Sequence, residues 1–535
     1  MRHSIRVMLG LGLVLSATGC SDYLSGPGVA STSDPNNIIS LTQPGPLYVS
    51  VQQAGPPQRQ GQLARFAVEY TQQIAGVARQ QIGFDRYQAA ASATDTYFGA
   101  VYGASNVLTG GGGMLDVRKM QQLAAKKNDS LFVGIGKIYE ALIIGFAADL
   151  WGDLPYREAA DSTIVQPHFD PQLQVYADMQ TLLNDALVNL AAAGPTNAGP
   201  SADGTELTYI DRGGDPDALR AVYTKVAHSL KARFFMHVAA TDPTAYASAL
   251  AEAQQGISTN ADDFVWYADA TTQANNIWWQ FNSARTGDIA PGAALVEILK
   301  RRMAAGVEDT ARIAFYFTST DGAAADPAGA NFAGFRPAGT TNIATSGGIY
   351  NGNGVGGAYS AFAPFIDPNI TDGSFRMPEL TYAETQLVAA EAAWHINGGG
   401  ADPTVVIAQA QPFLDAARAT RRFGSQSFTG PSPGALPASL KNIIEEKYVT
   451  LFLNPEVWND FKRTCLPSLA PSGNVVPGPN PIPGRLPYGL TEINANPNVP
   501  TTSSAGVAIT SVGLNPNQPA SCPVLNYTTS VPLAN

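Results

Sequence analysis

Residues 137–156 read KIYEALIIGFAADLWGDLPY, and this stretch decides the fold class. One apolar stripe recurs at helical spacing and is formed by Ile135, Ile138, Leu142 and Phe146. Gly145 leaves room for a neighbouring helix to approach closely. Gly152 and Pro155 are stop signals, because glycine favours the helix end and proline cannot continue a helix. The stretch therefore predicts a buried helix that ends in a tight turn.

This apolar stretch is not a membrane span. It carries Lys137 and Glu140, and these charges divide it into pieces shorter than the roughly 20 apolar residues that a bilayer requires. Asp149 and Asp153 lie at its carboxyl end, where carboxylates usually cap backbone groups. A structural role is favoured for both residues over a catalytic or calcium-binding one.

Further helical segments lie on both sides of this helix. Their apolar spacing predicts helices over residues 62–82, 93–108, 115–150 with an interruption near 127–129, 171–193, 215–240, 243–255, 291–303, 378–396, 403–420 and 436–453. Short connections between them favour antiparallel hairpins stacked in a tetratricopeptide-like array, although no 34-residue consensus repeat is present. The expected fold is mainly α.

Two long regions depart from the helical pattern. Residues 259–373 are rich in glycine, alanine, asparagine and aromatic residues, and residues 466–535 are dense in proline and asparagine. Loops this long in a compact protein are usually functional or disordered. We expect the first region to be a variable ligand-binding part and the second to be a carboxy-terminal loop region.

Composition excludes several classes of partner and cofactor. Charged residues make up 14% of the 535, against about 25% in typical soluble proteins, and the net charge is −11. No block of lysine and arginine is present, which argues against a nucleic-acid partner. The five histidines do not form a His-Glu-x-x-His motif, and Gly110–Gly113 lacks the lysine of a phosphate-binding loop. No metal and no cofactor are expected.

The amino terminus resembles a bacterial lipoprotein signal. Arg2 and Arg6 precede an apolar run, and small residues then lead to Gly19-Cys20. We expect residues 1–19 to be a signal peptide, Cys20 to be acylated, and residues 20–60 to be a tether and extended lead-in. An ordinary secretory peptide with a cysteine in this place by chance is the alternative.

Two cysteines remain after Cys20, at positions 465 and 522. An even pair in an exported chain favours a disulfide between Cys465 and Cys522, because the compartment is oxidising. Such a bridge would tie the carboxy-terminal loop region to the body. The alternative is two free thiols.

Six islands of sequence, in order along the chain, resemble the SusD/RagB family. They are CSDYL (20–24), KIYEALIIGFAADLWGDLPY (137–156), NIWWQF (276–281), RMPELTYAETQLVAAEAAW (376–394), EEKYVTLFLNPEVWNDFKRT (445–464) and RLPYGLTEINAN (485–496). Cys465 departs from the pattern, since glycine is usual after the Arg-Thr pair. The tail after Asn496 does not match the family.

This resemblance implies a SusD-like body over residues 61–535. Its helical scaffold would cover about 61–258 and 374–465. It implies a lipid-anchored outer-membrane protein that faces the cell exterior, binds a glycan or a peptide, and does no catalysis. It also implies a SusC-like TonB-dependent transporter as partner. A secreted glycoside hydrolase and an envelope adhesion protein remain as alternatives, and the hydrolase would need two carboxylates across a cleft.

Glycan capture requires aromatic platforms, because the apolar faces of pyranose rings stack on tryptophan and tyrosine. The candidate ligand contacts are Trp266, Tyr267, Trp278, Trp279, Tyr350 and Tyr359. Core packing is the alternative for each, most of all for Trp278 and Trp279, which lie in a family motif. In the late motif, Lys462 and Arg463 are expected to pair with Glu445 or Glu446.

Overall fold

The computed structural model describes residues 43–500, except 104–110, 162, 193, 195, 203, 272–273, 309, 328, 336–359, 361–362, 399–402, 431–432 and 470–481. These described residues are mainly helical, as predicted. The helices are α1 (Gly45–Arg59), α2 (Gln62–Tyr70), α3 (Arg79–Asp85), α4 (Ala91–Tyr102), α5 (Met114–Lys126), α6 (Ser130–Trp151), α7 (Gln172–Ala191), α8 (Pro216–Val238), α9 (Ala245–Ala253), α10 (Ile277–Ala284), α11 (Ala293–Ala304), α12 (Thr310–Tyr316), α13 (Tyr382–Ile396), α14 (Pro403–Ala419), α15 (Leu440–Thr450), α16 (Glu456–Thr464) and α17 (Leu490–Ala495).

Short antiparallel strand pairs tie distant parts of the chain together. They are β1 (Ile74–Gly76) with β3 (Ile289–Pro291), β2 (Phe264–Val265) with β4 (Pro378–Leu380), and β5 (Arg422–Phe423) with β6 (Gln426–Ser427). In the first pair Ile74 is opposite Pro291, and in the second Phe264 is opposite Leu380. The second pair matters for the site, because it fixes the segment after β2 against the segment before β4.

Consecutive helices pack against one another in pairs, as the stacked-hairpin prediction requires. The closest pairs are α5 with α6, α6 with α7, α8 with α9, and α13 with α14, and α9 also packs against α13. The interruption predicted near residues 127–129 is present, since Asn128 has a positive φ of 57° and Asp129 caps α6 by accepting from the Phe132 amide at 3.0 Å. Local capping chemistry therefore separates α5 from α6.

Helix α6 is the core helix of this array. Among the described residues it is the one helix long and apolar enough to cross a membrane, yet most of it is buried inside the protein. Gly145 lies directly against α8, because an added Cβ there would be 2.1 Å from Phe234 Cζ. The close helix approach predicted from Gly145 is confirmed.

The turn after α6 is a packing element. Gly152 has a φ of 82°, a conformation that favours glycine. Trp151 is fully buried and its indole N–H donates to the Pro487 carbonyl at 2.9 Å. Asp153 Oδ1 accepts from the Gln172 amide at 2.9 Å, at the start of α7. The aspartate therefore has the structural role expected of it.

Two of the sequence islands, 376–394 and 445–464, meet in one buried ion network that joins three helices. Glu391 of α13 accepts from Lys447 of α15 at 2.8 Å and from two nitrogens of Arg463 of α16, and Asp460 completes the group. All four side chains are buried. The network explains physically why these motifs contain charged residues between apolar ones.

The predicted pairing of Lys462 and Arg463 with Glu445 or Glu446 is wrong. Lys462 donates to the Asp149 carbonyl at 2.6 Å instead, and Arg463 belongs to the Glu391 network. Glu445 and Glu446 accept from arginines of α11 and α12, which are Arg301, Arg302 and Arg312. Sequence proximity misled here, because residues on successive helices face different neighbours.

Residues 45–59 also differ from expectation. They form α1 rather than an extended lead-in, because Leu47, Val51 and Ala54 recur at helical spacing and are buried. At the end of α1, Arg59 forms a buried ion pair with Glu379 of β4. Residues 1–42, including Cys20, lie outside the described residues.

Two predicted helices are shorter than expected. Residues 62–82 are divided into α2 and α3, because Gln72 has a φ of 61° and the chain then forms β1. The segment 378–396 begins with β4, and its helix starts only at Tyr382. In both places strand pairing with a distant segment overrides the local helical pattern.

Candidate functional site

The six aromatic candidates fall into three groups: two are buried, two are half-buried and two lie outside the described residues. Trp266 and Trp278 are buried, with exposed fractions of 2% and 0%, whereas Tyr267 and Trp279 are half-buried. Tyr350 and Tyr359 lie outside the described residues, so their role stays a prediction. Each buried ring is the immediate sequence neighbour of a half-buried one.

Trp266 is a scaffold residue, and its prediction as a ligand contact is wrong. Its indole N–H donates to Glu379 Oε2 at 2.8 Å. Its ring fills the space beside Gly55 of α1, where an added Cβ would lie 2.2 Å from Trp266 Cζ3. The ring therefore joins α1 to β4 and offers no face to a ligand.

Trp278 is likewise part of the core, so its prediction as a ligand contact is also wrong. Asn276 caps α10 with its side chain, accepting from the amides of Trp278 at 2.9 Å and Trp279 at 3.1 Å. Neighbouring residues of a helix point about 100° apart. In the helix that begins after this cap, Trp278 lies in the core and Trp279 is half-buried at its edge.

Tyr267 and Trp279 belong to one polar and aromatic surface. The Tyr267 hydroxyl donates to Asp269 Oδ2 at 2.6 Å, and the Trp279 indole donates to the Thr371 carbonyl at 2.9 Å. Asn275 connects the two segments by donating to the carbonyls of Asp269 at 3.0 Å and Asp372 at 3.1 Å. We call Tyr267, Asp269, Asn275, Trp279 and Asp372 the aromatic surface.

Gly373 allows the second segment to lie against the indole. Its φ is 81°, and an added Cβ would be 2.9 Å from Asn275 Nδ2 and 3.0 Å from Trp279 Cδ2. Its carbonyl also accepts from the Asn276 amide at 2.7 Å. The polar end of each aromatic ring is therefore held by a hydrogen bond, and Gly373 positions the neighbouring backbone.

Arg376 contacts the Tyr267 ring of the aromatic surface, and it was not predicted as a site residue from the sequence. Its guanidinium lies 5.9 Å from the centre of the Tyr267 ring, and Nη2 donates to the carbonyls of Leu207 at 2.9 Å and Thr208 at 2.6 Å. Burial lowers its pKa, while Asp211 and Tyr267 act in the opposite direction. Its position before β4 was visible in the sequence, but its partners are more than one hundred residues away.

The carboxylates of the aromatic surface are held in their charged form. Hydrogen bonds from Thr271 and then Tyr267 lower the pKa of Asp269, and hydrogen bonds from Ser374 lower the pKa of Asp372. The bond to Asp269 raises the pKa of the Tyr267 hydroxyl. This arrangement can stack a sugar ring and accept hydrogen bonds from its hydroxyl groups.

A second cluster of polar groups is buried in the scaffold, where Asp149, His237 and Glu456 place one ligand atom each within 4.8 Å of one another. Both ring nitrogens of His237 face carboxylates, at 2.9 Å from Asp149 Oδ1 and 2.7 Å from Glu456 Oε1. Burial alone would lower the pKa of His237, but the two carboxylates outweigh it and raise the pKa to about 9. A protonated imidazole has no lone pair for a metal, so the geometry favours an ion triad.

Comparisons with known proteins agree with this architecture. A SusD-like family model, described as starch-binding and associating with the outer membrane, matches residues 35–489. A search of curated protein sequences finds no match.

Solved structures share the fold at low sequence identity. A chitin-binding protein is 18% identical with a TM-score of 0.65, covering 85% of this chain and 95% of that one. A SusD-like protein from Bacteroides thetaiotaomicron VPI-5482 is 17% identical with a TM-score of 0.62, covering 88% and 98%. A SusD/RagB family protein from the same organism is 18% identical with a TM-score of 0.59, covering 85% and 95%.

The structural matches establish the fold alone, whereas the family model covers most of the sequence. The order of the motif islands, the helical scaffold and this match lead to one conclusion. The chain belongs to the SusD/RagB family of nutrient-binding proteins associated with the outer membrane.

Proposed function

We propose that the protein binds glycans at the cell surface through Tyr267 and Trp279 and delivers them to a SusC-like TonB-dependent transporter. The observation that carries the binding site is the fixed orientation of the two half-buried rings. A pre-oriented ring loses little conformational entropy when a ligand stacks on it. The neighbouring carboxylates of Asp269 and Asp372 supply acceptors for sugar hydroxyl groups.

Affinity gels test this site. Tyr267→Ala, Trp279→Ala and the double variant are compared with the parent on gels that contain soluble polysaccharides. We expect each single variant to lose retardation and the double variant to lose most of it. Trp394→Ala is the matched control, because Trp394 is also half-buried but lies on α13.

The result depends on the fold being intact, so thermal unfolding accompanies each gel. If the double variant is retarded like the parent, Tyr267 and Trp279 do not form the site. Incubation of the parent with the retained polysaccharide separates binding from hydrolysis, because a binding protein retains the ligand without releasing product. A peptide array run in parallel tests the peptide-binding alternative.

We also propose that Cys20 is lipidated after removal of residues 1–19 and anchors the protein on the outer membrane. Each buried acyl CH₂ contributes about 0.8 kcal/mol, so several chains hold the protein firmly. Mass spectrometry of the amino-terminal peptide tests the modification. Cys20→Ala should move the protein out of the membrane fraction, and an unmodified Cys20 in the native protein would overturn the proposal.

Delivery to a transporter requires a physical complex. We expect an affinity-tagged native chain to co-purify with a TonB-dependent β-barrel protein from the outer membrane. Purification of the native protein alone under mild detergent conditions would contradict the delivery step while leaving glycan binding untouched.

The disulfide between Cys465 and Cys522 stays a proposal, because Cys522 lies outside the described residues. Cys465 follows α16 in a left-handed conformation with a φ of 58°. We expect the mass of the non-reduced protein to be lower by two hydrogens than that of the reduced protein. Equal masses would show two free thiols.

A further inference from the structure

The aromatic surface carries negative charge on both of its segments. Asp269 is half-buried beside Tyr267, and Asp372 is exposed beside the backbone that contacts Trp279. Hydrogen bonds to Thr271 and Ser374 hold these carboxylates in place. A ligand that stacks on Tyr267 therefore lies beside the Asp269 carboxylate, and one that stacks on Trp279 lies beside the segment that carries Asp372.

The cation nearest to Tyr267 does not offset this charge for a ligand. The guanidinium of Arg376 donates to three backbone carbonyls, those of Leu207, Thr208 and Val265, and its Nε is buried. Asp211 lies close enough to influence Arg376 electrostatically and is itself exposed. The Nη2 and Nε atoms of Arg376 are thus bonded or buried within the protein, whereas Asp269 is half-buried and Asp372 is exposed.

We propose that Asp269 and Asp372 act as a charge filter that admits uncharged glycans to the aromatic surface and excludes uronate-bearing and sulfated ones. This inference rests on the proposed glycan-binding function and specifies its ligand class. Stacking and hydroxyl recognition remain available to an uncharged sugar. An anionic sugar meets like charges at short range, and like-charge contacts are a common means of rejecting wrong ligands.

An array of uncharged, uronate-bearing and sulfated oligosaccharides tests the filter. The full chain, Asp269→Asn, Asp372→Asn and the double variant are compared at low salt. Asparagine removes the charge and keeps an acceptor oxygen for Thr271 or Ser374. At position 269 its NH₂ group replaces the oxygen that accepts from Tyr267, so the Tyr267 hydroxyl has to accept from asparagine instead of donating. We expect affinity for anionic oligosaccharides to rise by roughly threefold to fivefold for each charge removed.

Asp217→Asn is the matched control, because Asp217 is an exposed acid at the start of α8, with a side chain 91% exposed. It changes the net charge equally but lies on another element, so it should not increase binding of anionic oligosaccharides. High salt provides a second measurement that requires no variant. Screening at about 1 M salt should raise the relative affinity of the parent for anionic oligosaccharides.

The outcomes separate the two proposals. Equal or stronger binding of anionic oligosaccharides by the parent overturns the filter but leaves glycan binding in place. A gain in the Asp217→Asn control as large as in the site variants overturns it as well. A parent that binds no oligosaccharide of any class overturns the proposed function, and the filter falls with it.

Discussion

Nε2 of His237, on α8, lies 2.7 Å from Oε1 of Glu456, on α16. The two residues are more than two hundred positions apart in the sequence. Because the pKa of His237 is raised to about 9, the stability that this contact contributes to the folded protein depends on pH. The folded state holds the proton where the unfolded state, with a pKa of about 6.5, has lost it. The contribution is complete below about pH 6.5 and is lost as the pH rises through 9.

We therefore expect His237→Gln to destabilise the protein most at pH 6, and the difference from the parent to shrink by about 3 kcal/mol towards pH 9 and above. Urea unfolding at a series of pH values measures it. Lys462 lies in the same region, and burial lowers its pKa to about 8. Its contribution to stability therefore rises with pH above about 8, opposite to that of His237. A difference that does not change with pH would contradict the ion triad.

Gly145 predicts a steric effect in the core. Alanine there would bring Cβ to 2.1 Å from Phe234 Cζ, so α6 and α8 would have to separate. We expect Gly145→Ala to cost about 1–3 kcal/mol, as overpacking does. Gly83→Ala in α3 is the control, since a Cβ there meets nothing within 4 Å. The control should be neutral or stabilising, and equal effects on the melting temperature would refute the close contact.

We expect neutralisation of Glu391 to lower the stability of the folded protein strongly. Burial favours its protonated form, but Arg463 and Lys447 outweigh this and lower its pKa to about 2. The stability from ionised Glu391 is present above the unfolded pKa near 4.3 and is lost as the pH falls through 2. We expect Glu391→Gln to cost about 3–5 kcal/mol at pH 7, because it leaves buried cations without a partner.

Glu297→Gln is the control for this measurement. Glu297 pairs with Lys300 on the exposed side of α11, where its side chain is 47% exposed. Exposed pairs contribute about 0–1 kcal/mol. Chemical denaturation should distinguish the two variants clearly, and a similar cost for both would mean that the Glu391 network is solvated.

The stability that Asp263 contributes has a pH dependence opposite to that of Glu391. Burial raises its pKa to about 7, although the Tyr382 amide donates to it at 2.7 Å and Arg422 lies nearby. The folded state therefore binds a proton that the unfolded state has lost, and stability falls as the pH rises from about 4 through 7. Asp263→Asn keeps the acceptor, so we expect it to gain stability relative to the parent at pH 8 and not at pH 4.

The sequence predicted the helical elements well where their signals are local. The apolar stripe of α6, the interruption near residues 127–129 and the turn at Gly152 all depend on residues within one or two helical turns. It failed for residues 45–59, where glycine and proline suggested an extended tether. It also failed at residues 74–76, where pairing with residues 289–291 decides the conformation.

The candidate site was only partly predictable, because aromatic residues that are neighbours in the sequence differ in burial. Nothing in the composition separates Trp278 from Trp279, and the packing of α10 against distant core residues decides which one is buried. Arg376 could not be found from the sequence, because its carbonyl partners at residues 207 and 208 are distant. Long-range contacts of this kind carry no local signal.

The bond from the Trp151 indole to the Pro487 carbonyl has a consequence for how the chain is made. Residue 487 leaves the ribosome long after residue 151, and Leu486 also donates to the Leu150 carbonyl. During synthesis the end of α6 therefore lacks its final covering. The body is therefore complete only once residues 486 and 487 have been made, and a chain that stops before them leaves the Trp151 indole N–H without this acceptor.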